Sequence, residues 1–453
     1  MLEKNQKIEL NIMALGSEGE GIGKTEEGMT VFVTDAIPGD RVLAHIVKVK
    51  KTYAYAFAAE ILTSSSFRVE SKCSVSKKCG GCTLQHLDYK EQLRFKQEKV
   101  YDCITRIGGI ENPPMEEITG SDCPFYYRNK AQFPVGADKN GNAVIGFYRK
   151  HSHDVVANTS CCIQAPVNEK IMKAVEDFLN QKKISAYNEE TKKGLVRHVF
   201  TRVGIASKEV MVSLVVNGDS FPYADELIDL LKETVNNEGL LLKSVSLNIN
   251  KKDTNVIMGS ECKALYGNLY IEDYIGNVKY RISPLSFYQV NPEQTKKLYD
   301  LAKDYAGLTG TEVLWDLYCG IGTISLYLAD KAKKVYGVEI VPEAIEDAKI
   351  NAAINNISNA EFYVGASEDV ADSLPKPDVI VVDPPRKGCD EKLLETIIKV
   401  LPKTLVYVSC DPATLARDLK FLCANGYELK KVHPVDQFAH TMHVETVAKL
   451  IKK

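Results

Sequence analysis

From about Pro292 to Ser409, short apolar runs alternate with helical patterns in unbroken succession. Val313–Tyr318, Lys334–Glu339, Glu361–Val364, Val379–Asp383 and Thr404–Ser409 read as strands. The segments near Ile324–Lys331, Pro342–Asn355 and Glu391–Leu401 read as the helices between them. Strands joined through helix-length crossovers lie parallel, since a tight turn joins only antiparallel neighbours. The pattern therefore predicts a Rossmann-like α/β domain with a doubly wound sheet, to which Tyr427–Val435 and Val444–Ile451 add two further strands. In such sheets ligands bind outside the carboxyl ends of the strands, so residues at those ends are the first to read for chemistry.

A chain of 453 residues exceeds one core, and the preceding sequence changes character twice. Residues 1–63 hold short strand-like runs (Ile8–Met13, Met29–Val33, Arg41–Val49, Tyr53–Leu62) punctuated by glycines, the pattern of a small OB-like β-barrel. Lys48, Lys50 and Lys51 precede Tyr53, Tyr55 and Phe57, which either stack on nucleotide bases or fill the barrel core. Residues 64–285 carry a helix over about His86–Arg106, then strands at Tyr126–Pro134, Ala143–Tyr148, Arg197–Gly204, Val210–Val216 and Ser244–Asn250, with helices near Asn168–Asn180 and Pro222–Asn236. That is a central α+β domain; residues 286–453 form the third. The net charge of −3 does not announce nucleic acid, yet basic residues gather in the first third of the chain, including Arg128 and Lys130. No apolar run is long enough to span a bilayer, and the N-terminus lacks signal-peptide order, so a cytoplasmic protein is expected.

Four strand ends carry candidate chemistry. Asp316-Leu317-Tyr318-Cys319-Gly320-Ile321-Gly322-Thr323 is a glycine turn without the third glycine of a dinucleotide site or the Lys of a phosphate loop. Glu339 ends the next strand, where a carboxylate takes ribose hydroxyls. Without a pyrophosphate pattern, S-adenosylmethionine (SAM) suits this pair better than NAD. Asp383-Pro384-Pro385-Arg386 makes a stiff rim with few N–H donors. Ser409-Cys410-Asp411-Pro412 places a thiol at the last strand end; by itself such a cysteine is better explained by packing than by attack.

Taken in order, Asp316–Thr323, Gly337-Val338-Glu339, Asp383–Gly388, Ser409–Ala413 and His443-Val444-Glu445-Thr446 resemble the motifs of SAM-dependent RNA uracil-5-methyltransferases, in particular the 23S ribosomal RNA branch of RumA/RlmCD type. The resemblance implies an N-terminal TRAM barrel, a cysteine-bearing central domain and a methyltransferase domain. It implies Cys410 as nucleophile, Glu445 as proton-abstracting base, and Gln289, Tyr318, Glu339 and Asp383 as SAM-site positions. A thiolate adding at C6 of uracil makes C5 an enolate carbon able to take a methyl group. The base must be single-stranded or flipped out, so a loop uridine of 23S ribosomal RNA is the expected partner. A monomer is expected.

Cys73-x5-Cys79-Gly80-Gly81-Cys82, with Cys161-Cys162 farther on, supplies four thiols to hold zinc or an iron–sulfur cluster. The spacing resembles the [4Fe–4S] site of the ribosomal RNA branch, and the resemblance favours Cys161 over Cys162 as fourth ligand. Three other functions compete: a transfer RNA uracil methyltransferase, an amino-group methyltransferase acting on a base, and a non-catalytic RNA-binding protein on a methyltransferase fold.

Overall fold

The computed structural model describes residues 2–150, 152–370 and 373–453. The chain divides into two compact units: residues up to Glu98 together with Phe438–His443, and Lys99–Gln437 together with Val444–Lys453.

The first unit is built on a closed barrel, in the order Lys7–Leu15, Gly21–Lys24, Thr30–Thr34, Tyr53–Thr63, Arg41–Val49. Side chains alternate across a strand, and the narrow interior takes small or branched ones: Val31, Val33, Val42, Ala44, Ile46, Ala54 and Ala56. Tyr53, Tyr55 and Phe57 therefore turn outward. On the outer surface Phe32 lies 5.8 Å from Tyr53 and 5.7 Å from Tyr55, and His45 stacks on Phe57 at 5.0 Å. The stacking alternative left open by the sequence is the one compatible with this placement. Below the barrel, Ile37, Leu84, Leu87 and Met442 form a small cluster. His440 ties it together: its carbonyl accepts from Thr83 N and Leu84 N at 3.0 Å, and its amide donates to Gln92 Oε1 at 3.0 Å.

The second unit holds two seven-stranded sheets. The central one runs Glu261–Gly267, Leu241–Ile249, Glu209–Val216, Val196–Val203, Lys130–Ala137, Ala143–Tyr148, Val155–Ala157. One face is covered by the helices Val167–Gln181 and Ala224–Asn237, whose Ile171, Val175, Leu227 and Leu231 pack on Phe133, Val199 and Val212. The strand expected from Tyr126 begins only at Lys130, because Tyr126 sits at φ 57°, outside any extended conformation.

The other sheet runs Ala360–Val364, Lys334–Glu339, Val313–Leu317, Val379–Val382, Thr404–Ser409, Glu445–Lys452, Tyr427–Val435. The first five strands are parallel, Glu445–Lys452 runs antiparallel to Thr404–Ser409, and Tyr427–Val435, antiparallel to Glu445–Lys452, returns to the common direction. Alternate residues feed two cores: Leu314, Val335, Val381, Val406 and Val408 on one face, Trp315, Val338, Ile380, Val382 and Tyr407 on the other. Outside the sequence expectation lie the strands Gly21–Lys24, Val155–Ala157 and Glu261–Gly267, the hairpin Ile271–Ile275/Val278–Ile282, the short helix Ser367–Val370, and the helix Pro292–Ala306, which Asn291 caps by accepting from Gln294 N. No described helix is long and apolar enough to cross a membrane.

Candidate active site

The parallel register brings four strand ends to one edge. Leu317 lies between Val338 and Val382, and Val382 beside Tyr407, so Tyr318, Glu339, Asp383 and Cys410 all follow at that edge. The antiparallel strand completes it. Ser409 pairs with Thr446, and one step further the same register sets Cys410 opposite Glu445. By alternation Asp316, Glu339, Asp383, Cys410 and Glu445 share the face that carries Leu314, Val381, Val408 and Val447.

Local chemistry fixes each position. Ser409 Oγ accepts from Asp411 N at 3.2 Å, and Asp411 Oδ1 accepts from Ala413 N at 2.9 Å and Thr414 N at 3.1 Å. Asp411 is thus the N-cap and Pro412 the first residue of the helix Pro412–Ala424, which leaves Cys410 at the strand-to-helix bend. In the glycine turn, Tyr318 N and Cys319 N both donate to Val338 O at 3.0 Å. Gly320 N donates to Glu339 Oε2 at 3.2 Å, joining the turn to the carboxylate expected to face the ribose. A Cβ on Gly320 would meet nothing within 4 Å, so the turn opens onto space.

Tyr318 departs from expectation. Its backbone lies at φ 81°, a strained value for a tyrosine, and this reverses the side chain. The ring packs with Trp315, Val338 and Cys389 on the opposite face, and only the Tyr318 backbone lines the turn. Gln289 is buried, and its carbonyl accepts from Asn129 Nδ2 at 3.0 Å.

The shared face is an acidic, dry corner. Asp316 is fully buried; its Oδ2 accepts from Ser325 Oγ at 2.5 Å, while its Oδ1 has no hydrogen-bond partner. Burial pushes its carboxyl up to about 6. Burial and then the Asp316 charge push Asp383 up to about 7. Burial and then Asp383 push Glu445 up to about 8. Burial, then Glu445 and Asp383, push the Cys410 thiol up to about 12. Arg386 opposes the shift at both Cys410 and Glu445. In the sequence Arg386 reads only as the last residue of the stiff rim, and no local pattern marks it as a cation acting on the thiol.

A second feature missed from sequence fastens the segment that follows Arg386. Buried Asp418, on the helix after Cys410, accepts from Cys389 N at 2.9 Å and from Tyr407 Oη at 2.6 Å. Arg417 Nη2 donates to Lys387 O at 2.9 Å. Gly388, at φ 78°, leaves room for this clamp, since a Cβ there would sit 2.5 Å from Arg417 Nη2. The Pro-Pro rim is thereby fastened to the helix that begins beside Cys410.

This corner fits a cationic cofactor. Three carboxyls raised by burial and mutual repulsion, one with an unpartnered oxygen, are brought back to ionisation by a sulfonium or ammonium group placed among them.

The cysteine set is less complete. Cys73, Cys79 and Cys82 lie in consecutive turns of the first unit, where Gly81 N donates to Cys79 Sγ at 3.4 Å; Cys161 and Cys162 belong to the second unit. Among the described residues no group of three or more His, Cys, Asp and Glu is arranged to hold a metal ion. The donor chemistry of these cysteines suits a thiophilic metal.

Comparison with known proteins agrees with the geometry. Residues 88–453 match the sequence model of the family described as tRNA (Uracil-5-)-methyltransferase, and residues 2–58 match that of the TRAM domain. Proteins described as uncharacterized RNA methyltransferases of Clostridium tetani and Bacillus cereus are each 49% identical over 98% of this chain and 96% of their own length. The crystal structure of Pyrococcus abyssi tRNA (uracil-54, C5)-methyltransferase, in complex with S-adenosyl-L-homocysteine, superposes with a TM-score of 0.79 at 30% identity, covering 98% of this chain and all of that one. Fold and site together define a SAM-dependent RNA methyltransferase carrying a TRAM barrel. More narrowly, the chain belongs to the RNA uracil-5-methyltransferase family.

Proposed function

We propose that this enzyme methylates C5 of a specific uridine in 23S ribosomal RNA through a covalent bond between Cys410 and C6 of the base. Bound SAM would supply the methyl group as an electrophile on a positively charged sulfur, the S–C electron pair staying with the sulfur, which leaves as a neutral thioether. Cys410 Sγ, as thiolate, adds to C6, and the electron pair of the C5–C6 double bond moves onto C5 and O4. C5 takes the methyl group, and the Glu445 carboxylate then removes the C5 proton. The electron pair left behind re-forms the double bond and expels the thiolate. Gln289, Glu339, Asp383 and the backbone at Tyr318 hold the cofactor, with Asp316 matching its positive charge. The observation that supports the reading is the register of Ser409 with Thr446, which extended by one step sets Cys410 opposite Glu445.

Cys410→Ala is expected to abolish transfer of label from SAM to RNA. Glu445→Gln is expected to accumulate a methylated protein–RNA adduct that migrates slowly on a denaturing gel. Full turnover by the Cys410 variant sinks the covalent route, and release of free RNA by the Glu445 variant removes that residue from the base role.

Two further parts of the proposal rest on sequence. Cys73, Cys79, Cys82 and Cys161 are assigned to a [4Fe–4S] cluster, with zinc as the competing metal; the support is their spacing, and no step of methyl transfer runs through it. Anaerobic iron and sulfide analysis tests it, and stoichiometric zinc without iron rejects the cluster. The ribosomal substrate is inferred from the same spacing, with a flipped-out loop uridine as target of a cytoplasmic monomer. Transfer RNA is the second reading, favoured by the likeness to the Pyrococcus enzyme. Mapping 5-methyluridine in both RNAs from cells with and without this protein separates the two.

A further inference from the structure

The central sheet carries positive charge that nothing in the described structure balances. Lys130 and Arg202 are direct cross-strand partners, and Arg128 precedes Lys130 by two residues. Arg202 is 1% exposed. Its two Nη atoms donate to Ser283 O at 3.3 Å and Ser286 O at 2.9 Å, both carbonyls, and its buried Nε has no partner. Among the described residues, Lys130 Nζ and the Arg128 guanidinium have neither a hydrogen bond nor a carboxylate partner. Buried cations are ordinarily paired, because an isolated charge in a dry place is costly. Burial, then Arg202 and Arg128, pull Lys130 down to about 8, which is the mark of cations repelling one another without an anion between them.

The cluster is fastened to the cofactor side of the unit. Asn129, between Arg128 and Lys130, donates through its amide to Val290 O at 2.8 Å and through Nδ2 to Gln289 O at 3.0 Å. Arg202 grips the Ser283–Ser286 turn that leads into Gln289. Positive charge is therefore held one short strap away from a residue expected to contact SAM. The cofactor's own positive groups are matched elsewhere by Asp316 and Asp383, which leaves the polyanionic substrate as the source of the missing charge.

We propose that Lys130 and Arg128, backed by the buried charge of Arg202, form a phosphate subsite that grips the RNA backbone next to the target nucleotide. This rests on the reading of the enzyme as acting on RNA. Phosphate contacts position a nucleic acid without reading its sequence, so the subsite sets where the uridine enters rather than which base is chosen.

The test is the salt dependence of binding to a labelled single-stranded oligouridylate, measured without turnover. Lys130→Gln and Arg128→Gln are each expected to lower the slope of log K against log salt by ~0.7 and to weaken binding about fivefold at 0.1 M salt. Affinity for S-adenosylhomocysteine is expected to stay unchanged. Lys130→Arg, which keeps the charge, is expected to restore the slope, and this guards against a loss caused by misfolding. An unchanged slope in Lys130→Gln overturns the proposal, as does failure of Lys130→Arg to restore it. Loss of S-adenosylhomocysteine affinity with an intact slope also overturns it, by assigning the cluster to the cofactor carboxylate. Uridine methylation by the wild-type enzyme is scored separately, so a wrong choice of RNA target leaves these outcomes readable.

Discussion

A thiol sharing a dry corner with three carboxyls is a poor nucleophile until positive charge reaches it. In the ligand-free enzyme Cys410 is held up to about 12 and Glu445 up to about 8, and Arg386 is the side chain that works against both shifts. Since thiolate and carboxylate are the active forms, kcat/KM is expected to rise with pH through about 8 as Glu445 ionises and to keep rising above that as Cys410 does. Arg386→Gln removes the opposing charge. It is expected to move the rising limb to higher pH and to cost roughly tenfold in kcat/KM at pH 7, a shift of one unit. Arg386→Lys is expected to keep the limb close to its original place. A pH–rate profile of the Gln variant that superposes on the wild type excludes this role.

Among the secondary elements, the strand-to-helix bend after Ser409 matters most, because the helix that starts there also clamps the Pro-Pro rim through Asp418. Asp418→Ala leaves Tyr407 Oη, Cys389 N and Arg417 without their acceptor, and a loss of about 2–4 kcal/mol is expected in denaturant unfolding. Tyr407→Phe removes one of these bonds and is expected to cost about 1 kcal/mol. The parallel strands were legible because strands buried on both faces read as continuous apolar runs. The hairpin Ile271–Ile275/Val278–Ile282 was missed although Gly276-Asn277, with Gly276 at φ 58°, is a two-residue turn pair; its short strands carry polar residues on one side and blur the apolar pattern. The opposition of Cys410 and Glu445 was also hidden. It depends on pairing between segments joined by a whole helix and strand, and spacing along the chain carries no register. Tyr318 shows the converse: its motif position was legible, but a left-handed backbone sends its ring to the other face.

Across the whole molecule, the raised carboxyls make stability depend on pH. Asp316, Asp383 and Glu445 keep protons in the folded state at pH values where the unfolded chain has released them, so stability falls as pH rises towards about 8. Buried His86 and His198, both lowered to about 4, act in the opposite sense but only below the ordinary histidine range. Between about pH 6.5 and 8 the carboxyls prevail, and the melting temperature of ligand-free enzyme is expected to drop across that interval. The drop is expected to shrink in Glu445→Gln and with saturating S-adenosylhomocysteine; a flat or rising curve in the ligand-free wild type contradicts the burial of these charges. Another property of the whole chain follows from His440. The cluster under the barrel takes Met442, and Thr83, Leu84 and Gln92 bond to His440, all from the segment Phe438–His443 near the end of the chain. During synthesis the first unit is made early but lacks these partners until the ribosome has translated the central sheet and all but the last strand of the other. An interrupted or truncated message therefore releases a barrel with an unfinished underside, so proteolytic quality control has a ready mark for chains that will never carry Glu445.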